Sequence, residues 1–409
     1  MTGASRDRRG LKKWIHTRLM PWCAKVCALI GLMILGAWIT GRVLTDQYQW
    51  SQYLWWVPPL WALGSAWGAL IASALFALFA RRLGGIFLRP VLLLACIGTT
   101  GYLFFGIWHM HRALLPASIP DDAIRVVHWN QSSKKVDQAG FAKFVLDQDV
   151  DIVLVSNSTW GKDKQALLDH LAPLAPDEQR RWVNYSFRGF VDPAHFRIEG
   201  DVFIASKYPL VRTGMVKVNT PTKQESPVRP GSSHGWVLFA EFDRRDAGES
   251  PGDQPEPFIV WFVDLPSNPI AWRQRMMQSV SNAIGAWDGT SSVMGRHVWE
   301  TIETDDPFPD PDLIIGDFNT LRGSASLDRI APNMTDAFEA AGYGRGRSWM
   351  PLTQNKYLRQ LFKLADWHID LALVGDRWKP AGYQIRDTRQ WGWTEHRMQI
   401  VDIAEETPK

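Results

Sequence analysis

Pro311-Asp312-Leu313-Ile314-Ile315-Gly316-Asp317-Phe318-Asn319 is a short apolar run closed by Gly-Asp-Phe-Asn. A few unbroken apolar residues between turn formers predict a strand buried on both faces. This strand would deliver a carboxylate and an amide to its tip. Asp317 and Asn319 are two residues apart and so point to one side of the backbone. A carboxylate in that position orients an attacking water, and an amide beside it holds a phosphoryl oxygen. The tip is therefore suited to phosphate-ester chemistry.

Working outward, strand signals recur at 124–129, 151–155, 201–206, 236–242, 258–264, 312–316 and 369–374. Helical periodicity interrupts them at 137–147, 162–173, 269–287 and 323–331. Strands alternating with helices and long loops predict an α/β sandwich with its active edge at strand ends. The stretches Asn219–Gly235 and Arg244–Pro257 are rich in Pro, Ser and Gly or are polar, and read as loops. The acidic, Pro-broken Thr304–Asp312 reads as a solvated loop, because its spacing matches no defined calcium loop.

Several of the strands end in polar residues. Ile124–Asn130 closes on Trp129-Asn130, and Asp151–Val155 is followed by Ser156-Asn157. Gly200–Ser206 leads into Lys207-Tyr208-Pro209, His368-Ile369-Asp370 opens an apolar run, and Thr394-Glu395-His396 lies near the end. In this order the segments resemble the endonuclease/exonuclease/phosphatase superfamily, whose members carry similar TWN, QE, LS-[RK]-YP, GDFN, RID and SDH signatures. The resemblance covers about residues 121 to 405, and the combined order is far more specific than any single piece. It implies an α/β (α+β) two-sheet sandwich that hydrolyses phosphate esters with Mg²⁺ or Mn²⁺.

By resemblance, Asn130 falls where an amide lies near the metal, Asp317 where water is oriented, and Asn319 where phosphate is contacted. His396 falls where an imidazole stabilises developing charge, and Asp370 where a carboxylate fixes that imidazole. Read one at a time, Asn130, Asn319 and Asp317 are also residues that turns favour for local hydrogen bonding. His128 has no such counterpart and reads as a structural histidine. Arg273 and Arg275, at the start of a helix, read as surface residues, with an anion clamp as the alternative.

Three departures bear on the metal. Asn157 stands where relatives place the main metal-binding Glu, and where many have His the chain offers Asp264 or nothing. The terminal Ser-Asp-His has become Thr394-Glu395-His396. Loss of a full charge at ligand distance weakens cation binding. Asp264 and Glu395 are the residues able to restore it, so the expected metal set is Asn130, Asn157, Asp264 and Glu395.

The front of the chain is different in kind. Met20–Val43, Val57–Phe79 and Ile86–Trp108 are apolar runs that each meet the roughly 20 residues needed to cross a bilayer. Basic residues concentrate in the leader (Arg6, Arg8, Arg9, Lys12, Lys13, Arg18) and between the second and third runs (Arg81, Arg82). The positive-inside rule then puts the N-terminus in the cytoplasm and everything after His109 outside. Trp50, Trp55, Trp56 and Trp61 fit an interfacial aromatic belt. The expected organisation is a basic leader (1–19), a three-span anchor (20–112), a linker (113–122) and the phosphoesterase-like domain (123–409), in a bacterial cytoplasmic membrane with the last domain periplasmic. Cys23, Cys27 and Cys96 all lie in the spans, so the outer portion has no thiol to mispair.

The chain has 45 Lys and Arg against 42 Asp and Glu. Residues 1–120 hold twelve of the former and two of the latter, which leaves 33 against 40 for the remainder. An acidic domain lacks the broad positive footprint of a nucleic-acid binder. The expected partners are a phosphate-ester substrate, lipid-linked or otherwise, and the membrane, with nucleic acid less favoured and no protein partner indicated. A relative that has lost turnover and kept a binding cleft is the alternative, as is a membrane-anchored nuclease.

Overall fold

A computed structural model describes residues 10–80, 87–114, 118–157, 196–199, 202–219, 234–244, 256–289, 306–351, 353 and 355–406. The helix expected at 162–173 and most of the loops at 219–235 and 244–257 lie outside these residues. The chain divides into two compact units. One comprises Met1–Met110 with Gln360–Asp366, and the other His111–Arg359 with Trp367–Lys409.

In the first unit, α1 (Gly10–Leu44), a short α2 (Gln49–Trp55), α3 (Pro59–Leu78) and α4 (Leu88–Ile107) pack together. The helices α1, α3 and α4 are long and apolar enough to cross a membrane. Their register alternates up, down and up. Ser73 donates its hydroxyl to Ala24 O at 2.7 Å, the Trp67 indole reaches Thr100 at 3.3 Å, and Trp38 meets Tyr102 edge-on. Small residues set the closeness of approach. A Cβ added at Gly41 would lie 2.6 Å from the Leu54 backbone.

In the second unit, the described residues form two six-stranded sheets, ordered β11-β12-β1-β2-β4-β3 and β5-β6-β7-β8-β10-β9. The strands of the first sheet are β1 (Ile124–Asn130), β2 (Ile152–Ser156), β3 (Phe196–Glu199), β4 (Val202–Ser206), β11 (Trp378–Arg386) and β12 (Met398–Glu405). Those of the second are β5 (Leu210–Asn219), β6 (His234–Phe242), β7 (Phe258–Asp264), β8 (Leu313–Asp317), β9 (Thr335–Asp336) and β10 (Asp370–Val374). Val126, Leu238, Phe262, Ile315 and Val401 belong to one fully buried apolar layer drawn from both sheets. The helix α5 (Gln138–Asp147) covers the outer face of the first sheet through Phe141 and Val145. The helix α6 (Arg273–Gly285) covers that of the second through Met276, Met277 and Val280.

Each sheet contains one parallel pair, β1 with β2 and β7 with β8. Both members of a parallel pair end on the same edge. Asn130, Ser156, Asp264 and Asp317 are the last residues of these four strands, so the fold itself gathers them.

Candidate active site

Across the second sheet, Asp317 is in register with Asp264 on one side and with Asp370 on the other. Three carboxylates therefore line one edge of three adjacent strands. This row is closed from the first sheet by the Asn130 amide, which donates to Asp317 Oδ2 at 3.0 Å. Asn157 donates to Asp264 Oδ2 at 2.7 Å and lies 3.2 Å from Asn130 Oδ1. One hydrogen-bonded chain thus joins Asp264, Asn157, Asn130 and Asp317.

The turn chemistry of these tips follows from the residue types. Asn157 and Asn319 have φ of 49° and 47°, in the left-handed region that Asn tolerates. Gly316 has φ 148°, and a Cβ there would collide with Val263 O, so only glycine lets β8 approach β7 just before the Asp317 carboxylate. The Asn319 backbone N–H donates to Asp317 Oδ1 at 2.9 Å and its amide donates to Leu265 O at 2.7 Å. The loop is locked on both sides.

His396, buried just ahead of β12, completes the cluster. Its Nδ1–H donates to Asp370 Oδ2 at 2.9 Å, and its Nε2 lies 3.6 Å from Asp317 Oδ2. Asp317, Asp370 and His396 form a buried group whose ligand atoms all lie within 4.8 Å of one another. Burial acts to push the imidazole down, but Asp370, Asp317 and Asp264 outweigh it and hold His396 up at about 9. Burial drives the Asp317 carboxyl well above the usual range, Asp370 and Asp264 add to that, and His396 opposes it. At neutral pH the site therefore sets an imidazolium beside carboxylates that share too little positive charge.

Of the eight residues expected at the site, seven converge. Glu395 is half-buried, with its N–H donating to Ser132 Oγ at 3.3 Å and its carbonyl accepting from Met350. Neither its carboxylate nor that of Asp264 belongs to the mutually adjacent ligand group of Asp317, Asp370 and His396. Arg273 is 1% exposed and donates to Pro266 O at 3.1 Å. Neither a surface residue nor a clamp on an exposed anion, it braces the turn that follows Asp264. His128 is fully buried between the sheets, where it accepts from Gln399 Nε2 at 2.8 Å and sits against Phe262. Desolvation lowers it to about 4, against the raising influence of Asp370.

Sequence reasoning missed Ser348. Its hydroxyl accepts the N–H groups of both Ile369 and Asp370 at 3.0 Å, which fixes the start of β10. The next residue, Trp349, forms a β-bridge with His396. Nothing in Gly346-Arg347-Ser348-Trp349 signals this, because a single hydroxyl between loop residues has no periodicity. The Gln399–Tyr383–His368 hydrogen-bonded chain, at 2.8 and 3.0 Å, was equally hidden in segments that alternate irregularly.

Oxygen donors dominate the cluster, and hard oxygen ligands are what Mg²⁺ and Mn²⁺ take. Asp317, Asp370 and His396 are close enough to share such an ion, while the Asn130 and Asn157 amides turn their N–H groups toward the Asp317 and Asp264 carboxylates.

Residues 127–391 match the sequence profile of the endonuclease/exonuclease/phosphatase family. No curated protein matches the sequence at a significant level. Among solved structures, similarity extends to an endonuclease/exonuclease/phosphatase from Bacteroides vulgatus, with 14% identity, 70% of this chain and 100% of that chain covered, and a TM-score of 0.43. It extends also to the mannosyl-6-phosphatase of Bacteroides thetaiotaomicron, with 11% identity, 69% and 99% covered, and a TM-score of 0.41. A third is D. rerio TDP2 complexed with a single-strand DNA product, with 12% identity, 69% and 100% covered, and a TM-score of 0.40.

Proposed function

Because the chain belongs to the endonuclease/exonuclease/phosphatase family, whose members include phosphatases and nucleases, we propose that it hydrolyses a phosphate ester at the Asp317–His396 cluster. The observation that carries this reading is the hydrogen-bonded row Asp264–Asn157–Asn130–Asp317 facing the Asp370–His396 pair.

In this proposal Asp317 orients water for attack on phosphorus and receives its proton. The His396 imidazolium, kept charged by its flanking carboxylates, donates from Nε2 to a non-bridging oxygen as negative charge builds. Asp370 fixes the Nδ1–H and so aims Nε2 outward. Asn319 commits one amide proton to Leu265 O and offers the other to the phosphoryl group. A divalent ion held by Asp317, Asp264, Asn130 and Asn157 would neutralise phosphate charge.

The three apolar helices favour a substrate at the bilayer, a phospholipid or lipid-linked phosphate, and the basic leader favours an extracytoplasmic domain. The net acidity of residues 121–409 argues against free nucleic acid. One observation supports a second reading, a binding module with weakened turnover. The Asn157 amide donates to Asp264 and lies beside Asn130 Oδ1, among the oxygens that would face a cation.

The test is hydrolysis of phosphomonoesters and phosphodiesters by the full chain in detergent, with Mg²⁺, Mn²⁺ or chelator. Turnover that needs a metal and is abolished by Asp317→Asn supports the hydrolase. Absence of turnover on every ester favours the binding module, and turnover that survives the substitution refutes the site.

A further inference from the structure

Between Trp349, which bridges to His396, and Ile369, which Ser348 ties back, the chain makes an excursion carrying the helix α7 (Lys356–Phe362). The run Lys356-Tyr357-Leu358-Arg359-Gln360-Leu361-Phe362-Lys363-Leu364 contains three cations and no acid. Apart from Phe362, its large apolar side chains face water. Tyr357 is 74% exposed, and Leu358, Leu361 and Leu364 are 43%, 43% and 45% exposed. Their spacing of three residues puts Leu358, Leu361 and Leu364 on one stripe, with the cations at 356, 359 and 363 beside it. A short basic amphipathic stripe with its apolar side uncovered has the composition of an element that lies in a lipid interface.

A second, independent observation says what covers it. Residues Gln360–Asp366 belong to the same compact unit as the apolar helices. The Trp61 indole donates to Leu361 O at 3.1 Å and stacks on Phe362, and the Trp108 indole donates to Asp366 at 3.1 Å. Trp61 is two residues from the start of α3, about 3 Å along its axis, and Trp108 follows the last residue of α4. Because the helices alternate in direction, these are the same end of the three. If the helices span a bilayer, that end is its headgroup layer, where Trp concentrates.

We infer that Lys356–Leu364 is an interfacial segment seated in the headgroup layer of the bilayer its own helices cross, with Leu358, Leu361 and Leu364 in the acyl boundary and Lys356 and Lys363 at lipid phosphates. The inference rests on the membrane reading of α1, α3 and α4. It goes beyond the proposed function, whose site lies in the other unit. Trp393, three residues before His396 and 52% exposed, lies under the Arg359 guanidinium.

The test uses the full chain with Cys23, Cys27 and Cys96 replaced by Ala, reconstituted in vesicles of phosphatidylcholine and phosphatidylglycerol. Single cysteines from Leu358→Cys, Leu361→Cys and, as a water-exposed control on α5, Lys143→Cys carry an environment-sensitive fluorophore. Lipids spin-labelled near the headgroup should quench the probes at 358 and 361 severalfold more than the probe at 143. Equal quenching at all three positions would overturn the inference. This readout needs no turnover, so it survives a failure of the hydrolase reading. If the protein is active, Leu358→Asp with Leu361→Asp should raise KM about tenfold for an ester presented in vesicles and leave a soluble ester unchanged. An equal change for both esters would count against the inference.

Discussion

The two flanks of the candidate site differ in what they retain. On the β8–β10 flank the Gly-Asp-Phe-Asn tip, Asp370 and His396 meet at hydrogen-bond distances, as the family pattern leads one to expect. On the β2–β7 flank an amide, Asn157, donates to a carboxylate, Asp264, in place of the pair found in relatives. The first flank is equipped to orient water and stabilise an oxyanion. The second, which the resemblance assigns to cation binding, keeps one negative charge but carries it on a strand of the facing sheet. The comparison teaches that charge at such a site is kept less by position than by reach, since the tips of the two facing sheets come within a side chain of each other.

The largest effect that would break this comparison is loss of the retained flank. If it carries the chemistry, Asp317→Asn should lower kcat/KM about a thousandfold or more, and His396→Ala should follow closely. Steady-state kinetics on any ester the full chain accepts would show it. A loss under about tenfold would mean that the intact-looking flank is only architecture.

The next effect concerns the histidine buried beneath that flank. The folded pKa of His128, about 4, is below its ordinary value of 6.5. Its contribution to stability is thus fully present above pH 6.5 and lost as pH falls through about 4, by about 3 kcal/mol. The thermal midpoint of His128→Gln in detergent should fall less than that of the parent between about pH 7 and pH 4. Equal slopes would show that other groups dominate acid unfolding.

The smallest effect sharpens the altered flank. Asn157→Glu should tighten Mn²⁺ or Mg²⁺ binding about tenfold, because a full charge replaces a dipole at the site. In chelator the same variant should melt earlier than the parent, because the introduced carboxylate would face Asp264 where an amide now donates to it. Calorimetric titration and melting with and without metal read both halves of this prediction. Unchanged affinity would place the cation elsewhere.

Much of the fold was legible because buried strands such as Ile152–Ser156, Leu313–Asp317 and Asp370–Val374 are near-continuous apolar runs that end in the polar residues of the site. The strand β12 was not, because Gln399 and Asp402 interrupt its apolar pattern while being buried. Gln399 serves His128 and Tyr383, and Asp402 pairs with Arg125 at 2.6 Å. The helix expected at 269–287 forms over Arg273–Gly285, and the one at 323–331 shrinks to a 3₁₀ turn at Ala325–Arg329. In the site, motif residues could be read from order alone. The Asn157–Asp264 contact could not, since residues 107 positions apart meet only through the pairing of sheets.

The single hydroxyl of Ser348 receives two consecutive N–H groups and so closes the neck of the excursion that begins at Trp349. The neck is thus tied to the same backbone that carries the Asp370 carboxylate. Such a knot holds the two ends of the appendage together beside the acid that steadies the imidazole, whatever the length of chain between them.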